Sequence, residues 1–301
     1  MKPFLEYIMR GRLQATGVTG LFGALSWFFP PLSYLSGATV GLVTLRNGAR
    51  EGLIIAAGAA LLCGFIAWMG ARTPWPALPL VLALWLPVCL GAQVLRLTRS
   101  QGTMVLVTGA LAALFAIGMR VVLGDVRAWW RELLGKFFEG SAVGDDLAIG
   151  PEVLDQAAAM MNAFMSGAWV MSVTIPLLLA RWWQAILYNP GGFGTEFRAF
   201  RLPRILALPA ALLSLYVSVQ AMKNGPHGLA MDLLFVVIVM YLFQGLAVAH
   251  YYIRERQASV GWLVALYMTL IFVPAYAVLI LATVGLADSG MDFRRLERSS
   301  G

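Results

Sequence analysis

Residues 13–45 read LQATGVTGLFGALSWFFPPLSYLSGATVGLVTL, without a single charged side chain. As one α-helix this run would be about 50 Å long at about 1.5 Å per residue. A bilayer's hydrocarbon core is only about 30 Å thick. In the middle stands Pro30-Pro31, which removes two backbone donors and crowds the turn before it. The run therefore predicts two short helices meeting at the prolines, either as two spans or as a re-entrant hairpin packed inside a bundle.

Outward from this block the chain alternates between apolar runs and short basic loops. Span candidates are Gly52 to Gly70, Trp75 to Leu95, Thr103 to Met119, Ala157 to Ala180, Ile205 to Met222, Leu229 to His250 and Ser259 to Ala287. With the first block counted as two, there are about nine hydrophobic segments. Arg46, Arg50, Arg96, Arg99, Arg181, Arg198, Arg201, Arg204, Arg254 and Arg256 then share one side with the N-terminus. Counting the first block once would send the basic loops at 181–204 and 254–256 to the other side, against the positive-inside rule. The expected protein is an all-α, polytopic transmembrane helix bundle. It would sit in a bacterial inner membrane as a multi-pass chain with a cytoplasmic N-terminus. The side of the tail beyond residue 287 stays open, since its basic and acidic residues balance.

Composition supports this reading. Hydrophobic residues make up 60% of the 301, charged residues 12%, and the mean hydropathy is +0.77. A soluble domain carries about twice that share of charge. The net charge of +7 is explained by loop arginines that set topology, so no nucleic-acid partner is expected. The lipid bilayer is the first partner. The N-terminal segment carries Lys2, Glu6, Arg10 and Arg12 before its apolar run, and is expected to be an uncleaved start to the first span. Cys63 and Cys89 lie in apolar runs, which suits packing better than a disulfide framework.

A single integral membrane domain over 1–301 is expected. It comprises N-terminal spans at 13–124, an external segment at 125–156, C-terminal spans at 157–287 and a tail at 288–301. Within the external segment, Asp125 to Gly140 sets Trp129, Leu133 and Phe137 four residues apart, with Trp130, Leu134 and Phe138 beside them. Arg131, Glu132, Lys136 and Glu139 fall opposite, the pattern of an amphipathic helix lying in the interface. Ala142 to Asp155 follows as an acidic stretch with Asp145, Asp146, Glu152 and Asp155, read as a solvated connector or a ligand lid.

Chemistry inside spans is sparse, and each strongly polar group there is a candidate site because burying it is costly. Asp232 lies one turn into its run, where it either reaches the interface or serves a site. Gln244 lies deeper and suits a ligand contact or interhelical glue, as do Asn162 and Gln93. Asp232, Gln244, Trp129 and Trp130 form the candidate ligand-binding set. The two histidines, His227 and His250, flank one span and cannot share a metal, so neither a metal site nor a cofactor is expected. No serine or cysteine has a local base, no catalytic residue stands out, and nothing indicates an enzyme.

The most distinctive loop runs from Asn189 to Arg204 as NPGGFGTEFRAFRLPR. Asn189, Gly191 and Gly192 set a turn, and Glu196, Arg198, Arg201 and Arg204 are interleaved with phenylalanines. That suits either a positive-inside anchor or a docking surface for a cytoplasmic partner or anionic headgroups.

Several stretches together resemble the YybS-like family of predicted bacterial membrane proteins, for which no activity is assigned. They are Pro31 to Gly52, Asn189 to Arg204, Gln244 to Tyr252, and Gly285 to Asp288 with Asp292-Phe293-Arg294. The resemblance marks Asp288, Asp292 and Arg294 as a tail motif. The front third is also similar to the substrate-binding S components of energy-coupling-factor transporters. Those dock a membrane partner through small residues of the first helix. Gly17, Gly20 and Gly23 offer such a face here, which equally suits ordinary helix packing. Two functions stay open: small-molecule binding or transport, and a membrane scaffold recruiting cytoplasmic or envelope proteins.

Overall fold

The computed structural model describes residues 1–139, 150–224 and 228–294. Asp145 and Asp146 of the acidic stretch, His227 and the tail beyond Arg294 lie outside the described residues. Among those described, the regular structure is helical throughout.

The helices are α1 (Lys2–Met9), α2 (Arg12–Leu25), α3 (Leu32–Asn47), α4 (Ala49–Ala71), α5 (Leu86–Thr98), α6 (Gln101–Leu123) and α7 (Val126–Glu139). There follow α8 (Pro151–Tyr188), α9 (Gly192–Arg198), α10 (Ala207–Asn224), α11 (Leu229–Glu255), α12 (Gly261–Phe272) and α13 (Pro274–Met291). Among the described residues, seven helical stretches are long and apolar enough to cross a membrane: α4, Trp75–Thr98, α6, α8, Arg204–Lys223, α11 and α13. With the short pair α2 and α3, which part at Pro30-Pro31, the chain is a polytopic helical membrane protein. Large apolar side chains left exposed along these helices, among them Leu61, Val121, Val122, Ile205 and Met222, suit a lipid-facing surface.

Three local features depart from the sequence expectation. The last run, 259–287, is broken into α12 and α13 at Val273, ahead of Pro274. Proline cannot donate to the preceding turn and disfavours helical geometry one residue back. Glu152 and Asp155 lie in the opening turns of α8, where carboxylates favour the helix's positive end, and Asp155 meets Arg131 at 2.9 Å. Ahead of Pro87, Leu80–Trp85 widens into a π-helix, with the Leu86 N–H bonded to Val81 five residues back.

Chain contacts divide the protein into two compact units. The first holds Met1–Thr108 and Met171–Arg201, the second Gly109–Val170 and Leu202–Gly301. The first is organised by small residues and hydroxyls. A Cβ on Gly37 would lie 3.1 Å from Pro176, and one on Gly41 would lie 2.9 Å from Ala180. This small-xxx-small pair lets α3 approach the kink-prone part of α8. Trp85 Nε1 donates to Ser36 Oγ at 3.0 Å, and Ser36 donates to the Thr19 carbonyl at 2.8 Å.

The second unit turns on α11 against α13. There a Cβ on Gly245 would come within 1.9 Å of the Leu281 carbonyl oxygen, and one on Gly285 within 2.2 Å of Tyr241 O. The two backbones therefore touch, and only hydrogen fits between them.

Candidate functional site

Asp232 enters the second unit one turn after Gly228, whose φ of +94° sets the start of α11. It is 1% exposed, so it does not reach the interface as a solvated group. Its charge is met by Arg120, in the last turn of α6, whose Nε and Nη2 donate to Oδ2 at 2.9 and 2.6 Å. Asn162 of α8 donates its Nδ2 to the same oxygen at 2.7 Å. Three donors converge on one carboxylate oxygen in a place where a lone charge would be prohibitive. The amide orientation follows from this: Nδ2 must face the carboxylate, so Asn162 Oδ1 faces away. That oxygen is buried and has no hydrogen-bond partner among the described residues.

Beside it lies a cavity of about 440 Å³. Arg120, Asn162, Asp125 and Arg127 supply its polar wall, and Val126, Ala158, Ala159 and Gly228 the rest. Asp125 also accepts the Ala128 N–H at 2.9 Å, fixing the start of α7. The wall is thus lined by two arginines, Asp125 and Asn162, with Asp232 bonded to both Arg120 and Asn162. Trp129 and Trp130 are not part of it. They stack edge-to-face on each other, with centroids 4.7 Å apart, and the cavity takes Val126 and Arg127 from the same helix instead.

Gln244 belongs to a separate cluster. Its Oε1 accepts the Leu202 N–H at 2.9 Å, and its Nε2 donates to Asp288 Oδ2 at 2.8 Å and Ser289 Oγ at 2.9 Å. Arg294 completes the cluster, donating through Nη2 at 2.6 Å to Asp288 Oδ2. Arg204, two residues after Leu202, pairs with Asp292 across 88 residues of sequence, and the Tyr251 hydroxyl reaches the Arg294 carbonyl at 3.4 Å. Three of the four stretches that carry the resemblance meet here. Gln244 therefore ties the chain at Leu202 to α11 and to the end of α13.

In the first unit, Glu196 takes a two-pronged pair from Arg181, which also donates to Gln184 at 3.0 Å. Gly191 has φ +84°, the left-handed start of α9. A Cβ on Gly192 would meet the Asn189 amide, so the NPGG turn closes on itself. Phe197 of this unit is buried. Arg198 lies against Thr195 at 3.3 Å, and Arg201 is half-buried. Of the small-residue face on α2, Gly20 and Gly23 pack on Leu62, Cys63 and Trp85, while a Cβ on Gly17 would meet nothing. Cys63 donates to the Gly20 carbonyl at 3.3 Å.

Sequence reading missed Arg120. One signal was present: it is among the few basic residues in the short loops otherwise poor in arginine.

Residues 151–289 match the model of a family described as predicted membrane protein (DUF2232). The matched region includes Asn162, Asp232, Gln244 and Asp288 but stops short of Arg294 and does not include Arg120. No curated protein and no solved structure matches the chain. The family description agrees with the helices: this is a multi-pass membrane protein.

Proposed function

We propose that this protein binds a small polar solute in the cavity beside Asn162. In a bacterial inner membrane with the N-terminus cytoplasmic, that cavity opens outward. The observation that carries the reading is that Asn162 lines this cavity while its amide oxygen is buried without a partner among the described residues, its other amide atom being bonded to the Arg120–Asp232 pair. A buried acceptor left unmet costs about 1–3 kcal/mol, and a ligand N–H or O–H would recover that. Arg120 and Arg127 suit an anionic group on the same solute. The ligand class is therefore a small molecule with one acidic group and one hydrogen-bond donor. Binding by itself, or as the substrate-recognition part of a transporter powered by a partner, follows from the same site.

The scaffold alternative draws on Asn189, Gly191, Gly192, Glu196, Arg198, Arg201 and Arg204. There the aromatic residues Phe197 and Phe200 are buried, and Glu196 and Arg204 are engaged within the chain. That leaves the loop less to offer a partner.

Native mass spectrometry of the purified protein tests the binding reading. A small-molecule adduct is expected on the wild type and absent from Asn162→Ala at unchanged melting temperature. An adduct retained in full by the variant would overturn the assignment, as would a wild type that carries none after purification in mild detergent and after incubation with extract of its own cells.

A further inference from the structure

The first unit carries a second depression, of about 300 Å³, where α5 ends. Arg96 and Arg99 line it together with Arg181, and Glu196 supplies the acidic side chain. The Arg181 guanidinium is taken up by Glu196 and Gln184. Arg96 and Arg99 have neither an ion pair nor a hydrogen-bonded side-chain partner among the described residues. The pocket therefore holds two uncompensated positive charges.

Their placement is fixed by the backbone. Arg99 is the left-handed cap of α5, with φ +55° and its N–H on the Leu95 carbonyl. Arg96 lies over the turn at Gly48, close enough that a Cβ there would sit 2.4 Å from Nη1. Leu45, Leu95 and Tyr188 give the pocket an apolar side. Arg46 lies 4.3 Å from the ring centre of Tyr188, one of the lining residues, and so brings a further cation close to the pocket. The negative end of the α5 dipole accounts for one basic residue in its last turn. It does not account for a concave site where guanidinium groups stand across from leucines.

We propose that this pocket binds a phosphate group, presented by the headgroup of an anionic phospholipid. Guanidinium forks match phosphate oxygens, and two of them together balance one phosphodiester while leaving the pocket attractive to a second charge. The location selects the lipid as the source. Arg96 and Arg99 close the apolar stretch Trp75–Thr98, at the depth where headgroups lie, and the leucine side of the pocket meets the glycerol and first methylenes. This site is independent of the cavity beside Asn162.

The test uses the full chain, delipidated in detergent and titrated by native mass spectrometry with phosphatidylglycerol or phosphatidylcholine. The wild type is expected to bind phosphatidylglycerol preferentially. R96A/R99A should bind it roughly 30-fold more weakly, at about fivefold loss for each guanidinium near an anionic surface. Lys223→Ala, on an exposed lysine of α10, serves as a control for total charge and should change nothing. Inorganic phosphate at constant ionic strength separates the sources. Failure of millimolar phosphate to displace the lipid supports the headgroup assignment, and full displacement at that concentration overturns it in favour of a free-phosphate site. Unchanged phosphatidylglycerol binding by R96A/R99A, with a melting temperature equal to wild type, overturns the site altogether. Should the double variant unfold, R96K/R99K keeps the charge and removes the fork, and is expected to lose affinity while retaining its salt dependence.

Discussion

Among the described residues of the second unit, Asp232 and Asp288 are both carboxylates buried within apolar helices, and their surroundings differ. Around Asp288 the polar groups close on one another: Gln244 joins Leu202, Ser289 and the carboxylate, and Arg294 pairs with it at 2% exposure of its own side chain. Around Asp232 the ring is left open. Arg120 keeps 30% of its side chain accessible, and Asn162 turns an unmet oxygen away from the pair, beside a cavity. A closed polar cluster fixes how helices cross. An open one, carrying the cost of an unsatisfied acceptor, suggests that something else completes it.

The sharpest way to break this contrast is Asp288→Ala. It strands the buried Arg294 guanidinium, and a loss of about 3–5 kcal/mol is expected, read as a large drop in melting temperature in detergent. Asp232→Ala is expected to cost less, about 1–3 kcal/mol, because Arg120 can turn its charge toward the accessible side. If the two variants melt alike, the two clusters do not differ as described. Asn162→Ala should be milder still, within about 1 kcal/mol, since it removes one good hydrogen bond and one unmet acceptor together. Its effect belongs on ligand retention instead of stability. At the bottom of the scale lies Arg12→Ala. The pair with Glu51 leaves Arg12 61% exposed, so the melting temperature should be unchanged within measurement error.

The parts of this fold legible in the sequence were those decided locally. Pro30-Pro31 splits the first block because the defect lies in the backbone of those two residues. The helix Val126–Glu139 was legible because its aromatic side chains recur at the period of the helix itself. Pro274 shows where local reading stops. Pro176 lies inside the continuous α8, yet Pro274 ends one helix and starts another. The proline chemistry is the same in both, so the residue type alone does not tell which of the two breaks its helix.

The candidate site divides the same way. Asp232 and Gln244 stood out as polar groups in apolar runs. Their partners did not, because Arg120 is 112 residues from Asp232 and Asp288 is 44 from Gln244. No periodicity links such positions, and the scarcity of arginine around Arg120 does not say which residue it pairs with. Trp129 and Trp130 were grouped with Asp232 by expected depth alone, and depth does not distinguish one helix face from another.

The crossing of α11 and α13 has a consequence for descent. Most tight contacts can drift, since a larger residue on one side is offset by a smaller one on the other. At Gly245 and Gly285 the obstacle to a side chain is the opposite backbone, and no change of residue there can retreat. The two glycines cannot trade volume, so a lineage that keeps this crossing inherits both unchanged, and one that loses either must have found another way to join the helices.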